Sequence, residues 1–188
     1  MSDVVKGTVV DIDGPIVKAI NMNTAGMLDV VYVGEKRLVG EIIKLDRGKA
    51  TIQVYEENSM MGIGDEVVSH KRPLSVLLGP GLLEGIYDGI QRPLMELSRT
   101  SGFFLSPGVK ADPISLDKKW KFVPIVKKGD LVSAGTKIGY VDETALVRHF
   151  IMIPPDTKSG KIDYISDDAE KTVLETIAKL DNGAEIKM

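Results

Sequence analysis

The 188 residues carry 24 Lys and Arg against 27 Asp and Glu, a formal net charge of −3, with 43% hydrophobic and 27% charged side chains. Such a chain can bury a core and need not be disordered, and neither sign of charge gathers into the long runs that mark a nucleic-acid surface. The absence of Cys excludes disulfides, thiolate nucleophiles and Cys-ligated zinc together.

The first residues place Asp3 and Asp11 around a short apolar stretch, so neither a signal peptide nor a membrane anchor is expected. From Val4 to Leu78, short alternating or β-branched runs are divided by turns: Gly7 to Asp11, Ile16 to Ile20, Leu28 to Tyr32, Leu38 to Leu45, Ala50 to Tyr55 and Glu66 to Ser69. These read as six strands. The clearest hairpin sets Val39, Glu41, Ile43 and Leu45 against Ala50, Ile52 and Val54 across Asp46-Arg47-Gly48, and Asp13-Gly14-Pro15 makes a second turn. Six short strands without an intervening helix predict a small closed barrel, which removes unpaired edges.

After Pro73 the pattern changes. Leu82, Leu83, Ile86, Ile90, Leu94 and Leu97 recur at helical spacing, while Gly85, Gly89 and Pro93 interrupt it, so one or two broken helical turns are expected. The whole stretch from Leu74 to Leu94 is apolar yet punctuated by Gly and Pro, which suits a docking hinge better than a solvated linker. Ser101 to Pro113, with Phe103, Phe104 and Leu105, reads as a crossing into a second unit. That unit is strand-rich again, at Trp120 to Val126, Lys137 to Val141, Val147 to Ile153 and Lys161 to Ile165, with turns at Lys128-Gly129-Asp130 and Ser159-Gly160. Val173, Ile177 and Leu180 fit one face of a short helix, but the β-branched Thr172, Val173, Thr176 and Ile177 fit a turn followed by a strand equally. The fold class expected is therefore mainly β, with a barrel over 1–73, a connector over 74–113 and a second β-rich, barrel-sandwich-like domain over 114–188.

Each motif with chemical meaning has a plainer reading beside it. A phosphate loop needs Gly-x-x-x-x-Gly-Lys-Ser/Thr, and Gly160-Lys161 approaches it with Ile162 in place of the hydroxyl and Pro155 in place of the opening glycine; a hairpin turn is expected there. Gly79-Pro80-Gly81-Leu82-Leu83-Glu84-Gly85 has its last glycine one place too far for a dinucleotide fingerprint, and Pro80 stiffens the turn. His70 and His149 lie in different predicted units, without metal-ligand spacing. The carboxylate pairs Asp11 with Asp13, Glu56 with Glu57 and Asp167 with Asp168 read as solvated faces, since adjacency does not supply a convergent cleft. No Gly-x-Ser-x-Gly elbow occurs. No catalytic, cofactor-binding or metal-ligating residue is assigned.

A more specific pattern runs from Val126 to Val141. It looks like the Gly-Asp-x-Val-x-x-Gly turn and following strand of biotinyl and lipoyl carrier domains, whose prosthetic group sits on a lysine in the next hairpin. That hairpin here is Asp142-Glu143-Thr144-Ala145, without lysine at its tip, so the unit reads as the same flattened barrel used as a structural block, its second half beginning at Ser159-Gly160-Lys161-Ile162.

Gly7 to Val17 (GTVVDIDGPIV), Gly40 to Glu56 (GEIIKLDRGKATIQVYE) and Leu74 to Leu94, joined by Trp120 to Val132 (WKFVPIVKKGDLV), resemble the start of the catalytic A subunit of archaeal A-type and vacuolar V-type rotary ATPases. The last of these blocks is similar to an insertion absent from the related non-catalytic subunit. The resemblance implies a crown barrel, then a bulge domain called the non-homologous region, in a chain that ends before the family's phosphate loop. It also implies B subunits as partners in an alternating A3B3 hexamer, a peripheral stalk beside the bulge and a central stalk in the full complex. ATP or ADP with Mg2+ would be handled by the full-length protein, at the cytoplasmic face of a membrane reached only through the complex, with no nucleic-acid partner. Leu74 to Pro93, with Gly85 and Gly89, would be the hinge. The alternative is a stand-alone β-barrel scaffold or carrier-like binding module without catalysis.

Overall fold

The structure, a computed structural model, describes residues 4–83, 85–102, 107–167 and 169–188; Asp3, Glu84, Phe103, Phe104, Leu105 and Asp168 of the readings above lie outside the described residues. The chain divides into two compact units, Met1–Val76 with Leu94–Ala111, and Leu77–Pro93 with Asp112–Met188. The stretch expected to be a connector is thus shared between them.

The first unit is a closed barrel of six antiparallel strands: β1 (Val5–Asp13), β2 (Ile16–Ile20), β3 (Asp29–Val33), β4 (Leu38–Asp46), β5 (Lys49–Val54) and β6 (Glu66–Pro73), ordered β1-β2-β5-β4-β3-β6 with β6 returning to β1. Alternation places Val9, Val17, Val31, Val33, Ile42, Ile52 and Val67 inside with no solvent exposure. Each such side chain contributes about 1.5–3 kcal/mol of burial.

The β4–β5 hairpin forms at the expected turn, where Arg47 and Gly48 both take positive φ (47° and 78°), the backbone of a tight hairpin whose twist matches its strands. Its facing pairs differ from the expected set. Gly40 faces Val54, Ile42 faces Ile52 and Leu45 faces Ala50, because the register shifts between Ile42 and Lys44. The extra residue, Ile43, is turned outward and is 39% exposed, so the inward set changes from even to odd numbers. A second bulge between Val9 and Asp11 acts alike in β1, leaving Val10 outside and returning Ile12 to the core. Such bulges bend the long strands that a small barrel must curve around itself.

Helix α1 (Leu94–Ser101) also belongs to the first unit and buries Leu97. The helical periodicity expected from Leu82 onward is realised only here. Gly85 and Gly89 weaken a helix, and Pro93 stands just ahead of the first turn, where its missing N–H has no helical partner to lose.

The second unit contains two four-stranded sheets. The first joins β7 (Trp120–Pro124), β9 (Lys137–Asp142), β10 (Arg148–Met152) and β12 (Ala169–Lys171); the second joins β8 (Leu131–Val132), β11 (Gly160–Ile165), β13 (Ala178–Leu180) and β14 (Glu185–Ile186). Trp120, Phe122, Val132, Ile138, Val141, Ile162, Ile177 and Leu180, drawn from both sheets and their turns, share one core. The open alternative at Val173 to Leu180 resolves as a turn closed by Glu175 N–H onto Thr172 O, followed by a strand. Gly160 is a strand residue rather than part of the expected hairpin turn, which lies earlier, at Thr157 N–H onto Pro154 O. A Cβ at Gly160 would lie 2.7 Å from an Asp181 carboxylate oxygen, so the close approach of the neighbouring turn selects glycine. Among the described residues no helix is long and apolar enough to cross a membrane.

The parity change at Ile43 is testable by substitution. Ile42→Ala is expected to destabilise the chain by about 2–5 kcal/mol, and the adjacent Ile43→Ala by less than about 1 kcal/mol, both measured by denaturant unfolding; equal losses would refute the bulge.

Candidate functional site

The polar feature with the greatest structural consequence is Glu143, in the turn between β9 and β10. Its side chain is only 3% exposed. One carboxylate oxygen accepts the Gly81 N–H at 2.6 Å and the Leu83 N–H at 3.0 Å, and the other lies 3.0 Å from His149 Nδ1. Beside an ionised carboxylate, that ring nitrogen carries the proton. Burial pushes the Glu143 carboxyl up, but the Leu83 and Gly81 amides and the His149 ring outweigh it and hold the group below the usual range. The arrangement pins the Gly- and Pro-rich segment onto the second unit, where carrier domains present their lysine. It can hold a chain and offers no amine to acylate.

The turns that set this hairpin follow the carrier-like pattern. Asp130 caps its own turn by accepting the Lys127 N–H at 2.8 Å, and Gly129, at φ 94°, donates to Ile162 O. Thr136 Oγ1 accepts from Ser133 N–H, and the Ile153 N–H closes onto Thr136 O. These bonds fix the turns ahead of β9 and the start of that strand, which leads to Asp142 and Glu143.

The segment held by Glu143 is itself stitched. Asp88 accepts the Ile90 and Arg92 N–H groups and pairs with Arg92 Nε at 2.7 Å. Burial raises the Asp88 carboxyl, and the Arg92 and Ile90 bonds bring it below its ordinary value. Tyr87 Oη donates to Pro113 O at 3.0 Å. Gly85 and Gly89, grouped as hinge glycines, differ physically: a Cβ at Gly85 would lie 2.4 Å from Tyr87 Oη, and one at Gly89 would meet no described residue within 4 Å.

The other sequence candidates are dispersed. His149 joins Glu143, whereas His70 stacks edge-on against Tyr32 in the first unit, with ring centroids 5.8 Å apart. Tyr32 also faces Arg37 and Lys110. Glu56 straps the returning segment onto the barrel, accepting the Gly108 N–H at 2.9 Å and the Val39 N–H at 3.3 Å. Glu57 accepts from Ser59 Oγ and lines a cavity of about 270 Å³ with Met60, Met61 and Asp65. Asp11 pairs with Lys18, whose hydrogen bond and charge lower its pKa. Lys161 donates its N–H to Asp181 within a strand, not to a phosphate-binding turn. Among the described residues no group of three or more His, Asp or Glu is placed to hold a metal. Sequence reasoning saw only that the Asp142 to Ala145 hairpin lacks a lysine and missed the clamp at Glu143, because its partners lie 60 and 62 residues away.

Comparison with known proteins places both units. Residues 5–70 match the family described as ATP synthase alpha/beta family, beta-barrel domain, and residues 111–188 match the ATP synthase alpha/beta barrel-sandwich domain. The chain is similar to the A subunit of the A-type ATP synthase of Staphylothermus marinus, 47% identical over 188 residues, covering 100% of this chain and 31% of that protein. It is similar to the V-type ATP synthase alpha chain of Clostridium botulinum strain Hall, 48% identical over 174 residues, or 93% and 29% of the two chains. The A subunit of the A-type ATP synthase of Natronomonas pharaonis is 45% identical over 183 residues, covering 97% and 31%. The chain spans about a third of the length of these curated relatives.

Because the folded-state pKa of Glu143 is lowered from its ordinary 4.5, its contribution is complete above pH 4.5 and is lost as pH falls through the lowered value. Glu143→Gln should cost about 1–3 kcal/mol at neutral pH and remove that part of the acid dependence in pH-resolved denaturant unfolding; an unchanged acid limb would contradict the clamp. Gly85→Ala, whose Cβ would displace the Tyr87 hydroxyl from Pro113 O, should cost about 0.5–1.5 kcal/mol, with Gly89→Ala within about 0.5 kcal/mol of the parent, by the same measurement.

Proposed function

We infer the role of this chain from its membership: it belongs to the ATP synthase alpha/beta family and corresponds to the N-terminal region of A-type and V-type A subunits. On that premise it supplies the crown barrel and the bulge domain of the A subunit, with the barrel joining B subunits in an alternating A3B3 head and the second unit meeting a peripheral stalk. The complete protein, working with a central stalk, makes or hydrolyses ATP with Mg2+, coupled to proton or sodium movement across a membrane. The chain would then reside at the cytoplasmic face, held there through the complex.

The observation that carries this reading is the order of the two modules: a closed six-stranded barrel followed by a two-sheet barrel-sandwich unit, each matching its counterpart in one family. No Gly-x-x-x-x-Gly-Lys-Ser/Thr sequence occurs in these 188 residues, and paired carboxylates such as Glu56 and Glu57 engage backbone and hydroxyl donors instead of converging. The role assigned to these residues is assembly and coupling, with phosphoryl chemistry supplied elsewhere in the full-length protein by positioned cations and magnesium. The absence of a lysine from the Asp142 to Ala145 hairpin favours this over a carrier module.

Native mass spectrometry of the chain mixed with the B subunit of the same organism tests the reading. Species containing both proteins are expected, together with no stoichiometric Mg-ATP binding by the chain alone in calorimetry. A chain that stays apart from B, or binds ATP one to one unaided, would overturn it.

A further inference from the structure

Leu77–Pro93 belongs to the second unit, yet none of its described residues joins a strand of either sheet. Its hydrogen bonds largely close on themselves: Gly85 N–H donates to Leu82 O, Asp88 N–H to Arg92 O and Gln91 N–H to Asp88 O. At its ends the Gln91 side chain accepts the Leu77 N–H at 2.6 Å and donates to Leu77 O at 2.7 Å. Tyr87 bridges to Pro93. A loop whose ends are tied together and which closes several of its interior bonds on itself, with the Glu143 and Pro113 contacts as its ties to the rest of the unit, has the character of an Ω-loop.

Beneath it lies Trp120, 6% exposed. The ring edge sits 3.4 Å from where a Cβ on Gly81 would be, Ile114 lies under Gly79, and Lys118 Nζ is 3.8 Å above the indole. The indole Nε1–H is buried without a hydrogen-bond partner among the described residues. Buried indole donors ordinarily find an acceptor, so closure over Trp120 carries a cost that opening to water relieves. Against that cost stand the two amide bonds to Glu143, the Tyr87 bond to Pro113 and the packing of Leu82 on the core. Leu78, Leu83 and Ile86 remain exposed and hold nothing down. Opposed contributions on a self-contained segment are the condition for local opening below the global unfolding limit.

We propose that the described residues of Leu77 to Gln91 form a strap that opens and closes over Trp120 as a unit, with Glu143 as its catch, while both sheets stay folded. It is a conformational device of the second unit and is independent of the family role above. Because Trp120 is the single tryptophan, all tryptophan emission and quenching comes from the residue beneath the strap.

Native-state hydrogen exchange of the whole chain decides the matter. In the unaltered protein the Gly81 and Leu83 amides are expected to exchange at least about tenfold faster than the β9 amides. Glu143→Gln should speed those two amides by about another tenfold, leave β9 unchanged and increase acrylamide quenching of Trp120. Equal exchange of Gly81, Leu83 and β9 in the unaltered protein would overturn the proposal, as would unchanged exchange or quenching in a folded Glu143→Gln variant. If that variant does not fold, the comparison in the unaltered protein still decides.

Discussion

Backbone hydrogen bonding is the constraint on which this structure depends. The fourteen short strands among the described residues present many N–H and C=O groups, and each one removed from water needs a partner. The first unit solves this by closure, with β6 returning to β1 so that its barrel has no free edge. The second unit stacks two open sheets and leaves the Gly79 to Leu83 backbone without a ladder; a buried carboxylate then takes the place of a strand. An ionised acceptor suits that task, since charge-assisted bonds to N–H are stronger than neutral ones.

The same solution recurs in the first unit at smaller scale. Glu56 accepts the Gly108 amide and so fixes the segment that follows α1. A Cβ on Gly108 would lie 2.6 Å from Lys36 O, so the backbone there runs close against the barrel turn. In both units, then, a glutamate at the end of a hairpin or strand holds chain that is distant in sequence. Acidic residues that would suggest catalysis by composition are used for positioning.

Much of the fold was legible because its signals are local. All six barrel strands follow from alternation and turn residues, and the hairpin at Arg47 and Gly48 follows from turn chemistry. What escaped were features set by tertiary demands. The bulges at Val10 and Ile43 are invisible to a period-two reading, because Val and Ile suit either face and only barrel curvature decides which turns out. The helix starts at Leu94 rather than near Leu82 because glycine and proline override a weak periodicity. Gly160 resembled a turn glycine, but its reason is the crowding of Asp181 and Asn182. Glu143 was the deepest omission: no neighbour in sequence marks it as buried, and its meaning appears only once residues some 60 positions apart meet. The carrier-like pattern around Gly129 and Asp130 did correctly indicate where that hairpin would emerge.

The central claim, that one ionised carboxylate replaces strand pairing for the Gly79 to Leu83 backbone, can be read directly by heteronuclear NMR during an acid titration. The account predicts that the amide resonances of Gly81 and Leu83 shift together with the Glu143 carboxyl carbon, with one shared midpoint below 4.5. Separate midpoints, or amide resonances indifferent to the state of that carboxyl, would contradict it.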